Sequence, residues 1–112
     1  MHALTSPGSP DSAQEEFGIN LAANTAPTNP LGANPVQVPS STFSFGLAAH
    51  NSGSDYYDTP NVYMYQQGDV IAKATKSSGE TDYTISYIFN VTNLTPGGIF
   101  TFHQILVATS TF

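Results

Sequence analysis

Between Asp82 and Thr92 apolar and polar side chains alternate. Tyr83, Ile85, Tyr87, Phe89 and Val91 fall on one side, and Thr84, Ser86, Asn90 and Thr92 on the other, with Ile88 the exception. Successive side chains of a strand point to opposite faces, so this pattern predicts a strand with one apolar face, about 36 Å long if fully extended. Pro96-Gly97-Gly98 then offers a fixed φ followed by two residues tolerant of positive φ, as a chain reversal requires. A second alternating run covers 99–112, and the two runs predict a long antiparallel hairpin.

The same period recurs upstream. Phe17, Ile19 and Leu21 share one face of a short strand over 17–22, and Phe43, Phe45 and Leu47 are expected to aim inward from a strand over 42–48. Val62–Gln66 and Asp69–Thr75 read as a hairpin turned at Gln67-Gly68. Pro27, Pro30, Pro35 and Pro39 exclude helix and central strand from 23–41, though Val36 and Val38 can form a brief edge pairing. Residues 1–16, rich in Ser, Pro and Gly, read as a flexible arm or linker. No segment holds a helical period over ten residues. The expectation is therefore an all-β fold, an antiparallel immunoglobulin-like β-sandwich of six to seven strands over 17–112, with a small closed barrel as the second choice.

Composition narrows the function. Of 112 residues only 9% are charged, and the two basic ones are Lys73 and Lys76. Phosphate binding needs clustered Lys or Arg, so no nucleic-acid partner is expected. The absence of cysteine removes disulfides and thiolate chemistry. No apolar run reaches the 18 residues of a membrane-spanning helix, and residues 1–16 lack the apolar core of a signal peptide. A polar but uncharged surface of this kind is associated with extracellular and cell-surface β proteins.

Candidate chemistry is sparse. His2, His50 and His103 have no ligand spacing among them. Asp55 and Asp58, with Asn51 and Asn61, form the densest oxygen cluster, but such residues cap turns and match no specific calcium loop. Neither metal nor cofactor is expected. Tyr56, Tyr57, Tyr63 and Tyr65 are an aromatic cluster, and Tyr56, Tyr57, Asp55 and Asp58 make a candidate contact surface for surface glycans. Asn90-Val-Thr92 and Asn93-Leu-Thr95 match the glycosylation triplet, which is frequent in a chain this rich in Asn and Thr. No Ser or Thr sits in a nucleophile motif, so no enzyme is expected.

From Thr95 the chain reads Thr-Pro-Gly-Gly-Ile-Phe and then a Thr-containing strand ending in Phe112. This resembles the closing hairpins of exported bacterial pilin-like, spore-coat-U-like and WxL-type surface domains. Thr95, Pro96, Gly98, Phe100 and Phe112 match their pattern, while the cysteine pair of many pilins has no counterpart. The resemblance implies an immunoglobulin-like sandwich at the cell surface, in filaments or coats, with no active site.

Together these readings predict a structural subunit whose partners are copies of itself. Phe17, Ile19 and Leu21, behind an arm and ahead of a proline-rich tether, are the candidate donor strand for a neighbour's sheet. Burying those three side chains would contribute on the order of 5–8 kcal/mol before ordering entropy is subtracted. The alternative is that the strand pairs within its own body. The competing function is an adhesive or carbohydrate-binding module.

Overall fold

The computed structural model describes residues 2–9, 14–26, 30–39, 44–50 and 56–110. The fold is all-β, and no helix occurs among the described residues. The strands are β1 (His2–Ala3), β2 (Glu16–Asn20), β3 (Val36–Val38), β4 (Leu47–Ala48), β5 (Ala72–Lys73), β6 (Glu80–Asp82) and β7 (Ser86–Asn90). They form three small sheets, ordered β1-β2-β7, β3-β6 and β4-β5.

β2 is the central element. It pairs antiparallel with β7 from Glu16↔Asn90 to Asn20↔Ser86, and β1 runs parallel along its other side. Past the end of β1, Ile19 exchanges both main-chain bonds with Met64, at 2.9 and 3.1 Å, and the Leu21 N–H donates to Tyr57 O at 2.8 Å. With elements on both sides and both faces, Gly18 through Ala22 are all buried. The one-sided face expected for 17–22 is thus replaced by a strand buried on both faces. Ile19 and Leu21 join Ala48, Ala49, Tyr57 and Met64 in the core, with Ile71, Tyr83 and Ile85 packed against it. Gly18 permits the tight approach, because a Cβ there would lie 3.0 Å from both Met64 N and Tyr63 Cβ.

Several sequence expectations are corrected. The described part of residues 1–16 lies against the body. Leu4 is buried, its N–H donates to Phe17 O and its carbonyl accepts from Tyr65 N–H, while Gly8 and Tyr63 bond reciprocally. A polar, Pro- and Gly-rich composition hid one apolar anchor. The long strand expected from Asp82 is two short ones in different sheets, β6 on β3 and β7 on β2, because Tyr83 and Ile85 turn into the core between them. In β7 the buried positions are Ser86 and Asn90, whereas Tyr87 and Phe89 are 38% and 46% exposed.

The turn at Gln67-Gly68 forms, with Gly68 at φ 89° and Asp69 N–H donating to Gln66 O. Its legs do not pair with each other, since Tyr63 and Met64 bond to Gly8 and Ile19 and β5 bonds to β4. Phe45 and Leu47, expected inside, are exposed, and Ala48 is buried instead; Phe43 lies outside the described residues. β3 forms its expected edge pairing, on β6. The expected strand over 99–112 makes no ladder among the described residues.

Candidate functional site

Two regions merit attention, the turn over residues 56–62 and the run over 99–110. The turn is held by asparagines. Asn20 and Asn24, both fully buried on or just after β2, pair their side-chain amides reciprocally at 2.6 and 2.8 Å. Asn20 Nδ2 also reaches Thr59 O and Val62 O, and Asn24 Nδ2 reaches Ala22 O. The Asn61 N–H donates to Asn24 Oδ1 at 2.8 Å, while Asn61 Oδ1 accepts from the N–H groups of Thr25 and Ala26. Asn61 takes a left-handed φ of 61°, a conformation that Asn tolerates better than most residues. Each bond is worth about 1 kcal/mol net, but orphaning a buried amide costs more, so the network locks the turn to β2.

This framework decides where the candidate glycan residues lie. Tyr57 is fully buried in the core and its hydroxyl donates to Asp69 Oδ2 at 2.7 Å. Tyr56 is half-buried, set edge-on to His50 with ring centroids 4.9 Å apart. Asp58 is exposed and accepts from His50 Nδ1 at 2.6 Å and from Thr59 Oγ1 at 3.1 Å. Asp55 lies outside the described residues. Sugar stacking needs an open ring face, and Tyr57 presents none. Tyr63 is likewise buried, and its pKa is raised by desolvation.

The His50–Asp58 pair fixes the imidazole tautomer, because a carboxylate only accepts, which leaves Nε2 as the acceptor of the neutral ring. It borders a cavity of about 370 Å³ walled by Leu21, Pro35, Phe45 and Leu47, with Lys73 also present. The described lining contains no Ser, Thr or Cys, so the pair has no hydroxyl or thiol nucleophile to activate within that wall.

The second region begins at an anchored turn. Thr95 N–H donates to Thr92 O at 3.0 Å, and the Thr95 hydroxyl donates to Glu15 Oε1 at 2.6 Å. Beyond it Gly97 and Gly98 have no neighbour near the position of a side chain. The backbone of 96–110 then forms no hydrogen bond with another described residue. Ile99 is 97% exposed, Ile105 86% and Val107 80%. The run touches the body mainly through Phe102, whose ring lies 5.7 Å from those of Phe17 and Phe89 and 5.8 Å from that of Tyr87, and through Gln104, which accepts the Tyr87 hydroxyl proton at 2.6 Å. Between 104–109 and 65–72 an open cleft of about 440 Å³ remains. Residues 83–112 contain no Asp, Glu, Lys or Arg, so every one of those side chains lies within 1–82.

Comparison with protein-family models, curated proteins and solved structures finds no match. Function therefore rests on geometry. No helix among the described residues is long and apolar enough to cross a membrane.

The candidate donor residues fall in the body. Ile19 and Leu21 are core residues, and Phe17 is half-buried between Tyr65, at 4.9 Å between ring centroids, and Phe89. Of the two glycosylation triplets, Asn90 is buried and Asn93 exposed. Sequence reasoning missed the Asn20–Asn24–Asn61 network and the charge-free tail. Both leave a trace: Asn20 and Asn24 interrupt an otherwise apolar stretch, and the charged residues stop at Asp82.

Proposed function

We propose that this protein is a structural subunit that associates with copies of itself by β-strand addition, in an extracellular filament or surface layer, and that it has no catalytic role. The observation that carries this reading is the charge-free run over 99–110, whose Ile99, Ile105 and Val107 are exposed and whose main chain bonds to no other described residue. An exposed patch of this size on a soluble chain marks a contact surface. Large side chains from Tyr87 to Val107 would together bury on the order of 800 Å² per copy, which reaches one side of a standard protein interface. The net charge of −6 resides wholly in residues 1–82. Two copies repel elsewhere and meet without electrostatic cost here.

Few lysines are available to blunt the edges, as natural sheets often do. Strand addition would complete the immunoglobulin-like sandwich in the assembly. In this reading the exchanged segment is C-terminal. Donating Phe17, Ile19 and Leu21 instead would require β2 to leave both of its neighbours and empty the core.

Sedimentation velocity across a hundredfold range of concentration, with negative-stain micrographs, tests the proposal. Larger species should grow with concentration and be stabilised by sulfate, since the contact is apolar and the remaining surface anionic. A strictly monomeric particle at the highest concentration, in high salt, ends the reading.

A further inference from the structure

Resting on that self-association, we infer that the contact is a reciprocal swap: residues 99–110 of one copy add to the free edge of β7 in a second copy, and the second returns its own run to the first.

β7 has a ladder to β2 on one side, and its other edge bonds to no described residue. A five-residue edge with Tyr87 and Phe89 half-exposed above it is a template for another strand. The run itself is built as one. Ile99, Thr101, His103, Ile105, Val107 and Thr109 lie on one face by period two, and five of the six are β-branched. Alternation and the Pro96-Gly97-Gly98 reversal favour an antiparallel hairpin between these two segments. Within one chain the hairpin is not made, because the turn anchored by Thr95 to Glu15 sends the run over the Phe17–Phe89 face, where it contributes Phe102 rather than backbone bonds. The pairing capacity of both partners is thus left for another molecule.

The hinge sets the symmetry. Three residues span at most about 10 Å, so a donated run stays close to its own Thr95. When one run reaches a neighbour's β7, the neighbour's run lies equally near the first β7. A two-fold pair closes, whereas a one-way donation would leave each pair with an empty edge. The closed pair is then the unit from which any larger layer is built, through other surfaces. Neither segment holds a charged residue, so antiparallel pairing opposes no like charges.

Hinge length tests this directly, because a longer hinge lets the run fold back on its own β7. Inserting Gly-Ser-Gly after Gly98 should weaken dimerisation at least tenfold and yield a monomer, while deleting Gly97 and Gly98 should not release monomer. Ile105→Pro, which removes one main-chain donor from a segment outside the core, should weaken the dimer at least tenfold with the circular dichroism spectrum retained. Amides of 86–90 and 99–110 should gain hydrogen-exchange protection together as the dimer fills. A dimer that tolerates both the insertion and Ile105→Pro, with fast exchange in 99–110, overturns the swap and leaves self-association through side chains standing. If no dimer forms under any condition, self-association itself fails.

Discussion

β2 and the run over 99–110 both place β-branched and aromatic residues at period two, yet they meet opposite fates. β2 is enclosed by β1, β7, Met64 and Tyr57 and buries Ile19 and Leu21 almost completely. The later run leaves Ile99 and Ile105 almost wholly in solvent. Apolar residues recur at period two in both, Phe17, Ile19 and Leu21 in one and Ile99, Ile105 and Val107 in the other, so their presence alone does not separate them. What separates them is the polar hardware at their borders. β2 ends in Asn20 and is followed by Asn24, which together tie it to the 57–62 turn, whereas 99–110 begins after Pro96-Gly97-Gly98 and has no buried polar anchor among the described residues. Apolar alternation supplies the capacity to be a strand, and satisfied buried polar groups choose which strand is enclosed.

The largest effect should come from crowding the enclosed strand. Gly18→Val places a branched side chain where a single Cβ already meets Met64 N and Tyr63 Cβ at 3.0 Å and Leu4 Cδ1 at 3.1 Å. Backbone lies on one side, so relief requires β2 to move, and the expected cost is about 3 kcal/mol or more in a urea titration. A matching substitution in the outer run, Ala108→Val, should be neutral. Next comes the anchor. Asn24→Ala leaves the buried Asn20 Oδ1 and the Asn61 N–H without their partners, and should cost about 2 kcal/mol by the same measurement. Loss of less than half that amount would mean that packing alone encloses β2.

Sequence reading recovered the all-β class, the edge strand at Val36–Val38 and the turn at Gln67-Gly68, because proline, glycine and alternation act locally. It mistook the inward face of β7 and of Leu47, because which face of a strand is inward depends on its neighbours. Ser86 is buried opposite Asn20 and beside Gly32, whose missing Cβ leaves room for the Ser86 hydroxyl. No local rule foretells that packing. Leu4 was obscured for a related reason, since one apolar residue among Ser, Pro and Gly shows no period. Of the glycan candidates, Tyr57 lies inside for a long-range reason, drawn inward by its main-chain bond with Leu21 and by Asp69.

A smaller effect distinguishes the enclosed region by pH. Desolvation raises the pKa of both Tyr63 and Tyr83, so the folded state holds these phenolic protons more tightly than the unfolded chain does. Their contribution is complete below the ordinary phenol value of about 10 and is lost as pH rises above it toward the folded value. The urea midpoint should therefore fall above pH 10, and less steeply in Tyr63→Phe. The Tyr63 hydroxyl is buried and meets no partner among the described residues, so Tyr63→Phe should not lower stability at pH 8.

The smallest effect on folding, and the one that most sharpens the contrast, belongs to removal of the outer run. Ending the chain at Thr95 deletes Ile99 and Ile105, which contribute little to the isolated body because they are almost wholly exposed in it. It also deletes Phe102, whose ring contacts with Phe17, Tyr87 and Phe89 are the main apolar link to β2 and β7. At about 0.5 kcal/mol for each of these three partly exposed pairs, with the exposed Tyr87–Gln104 hydrogen bond adding little, the expected loss is about 1.5 kcal/mol, seen as a small fall in the urea midpoint with an unchanged slope. Association should vanish at the same time. Retained folding with lost association assigns the enclosed strand to stability and the free run to contact between copies. A truncated chain that unfolds would instead make the run part of the core and erase the distinction between the two regions.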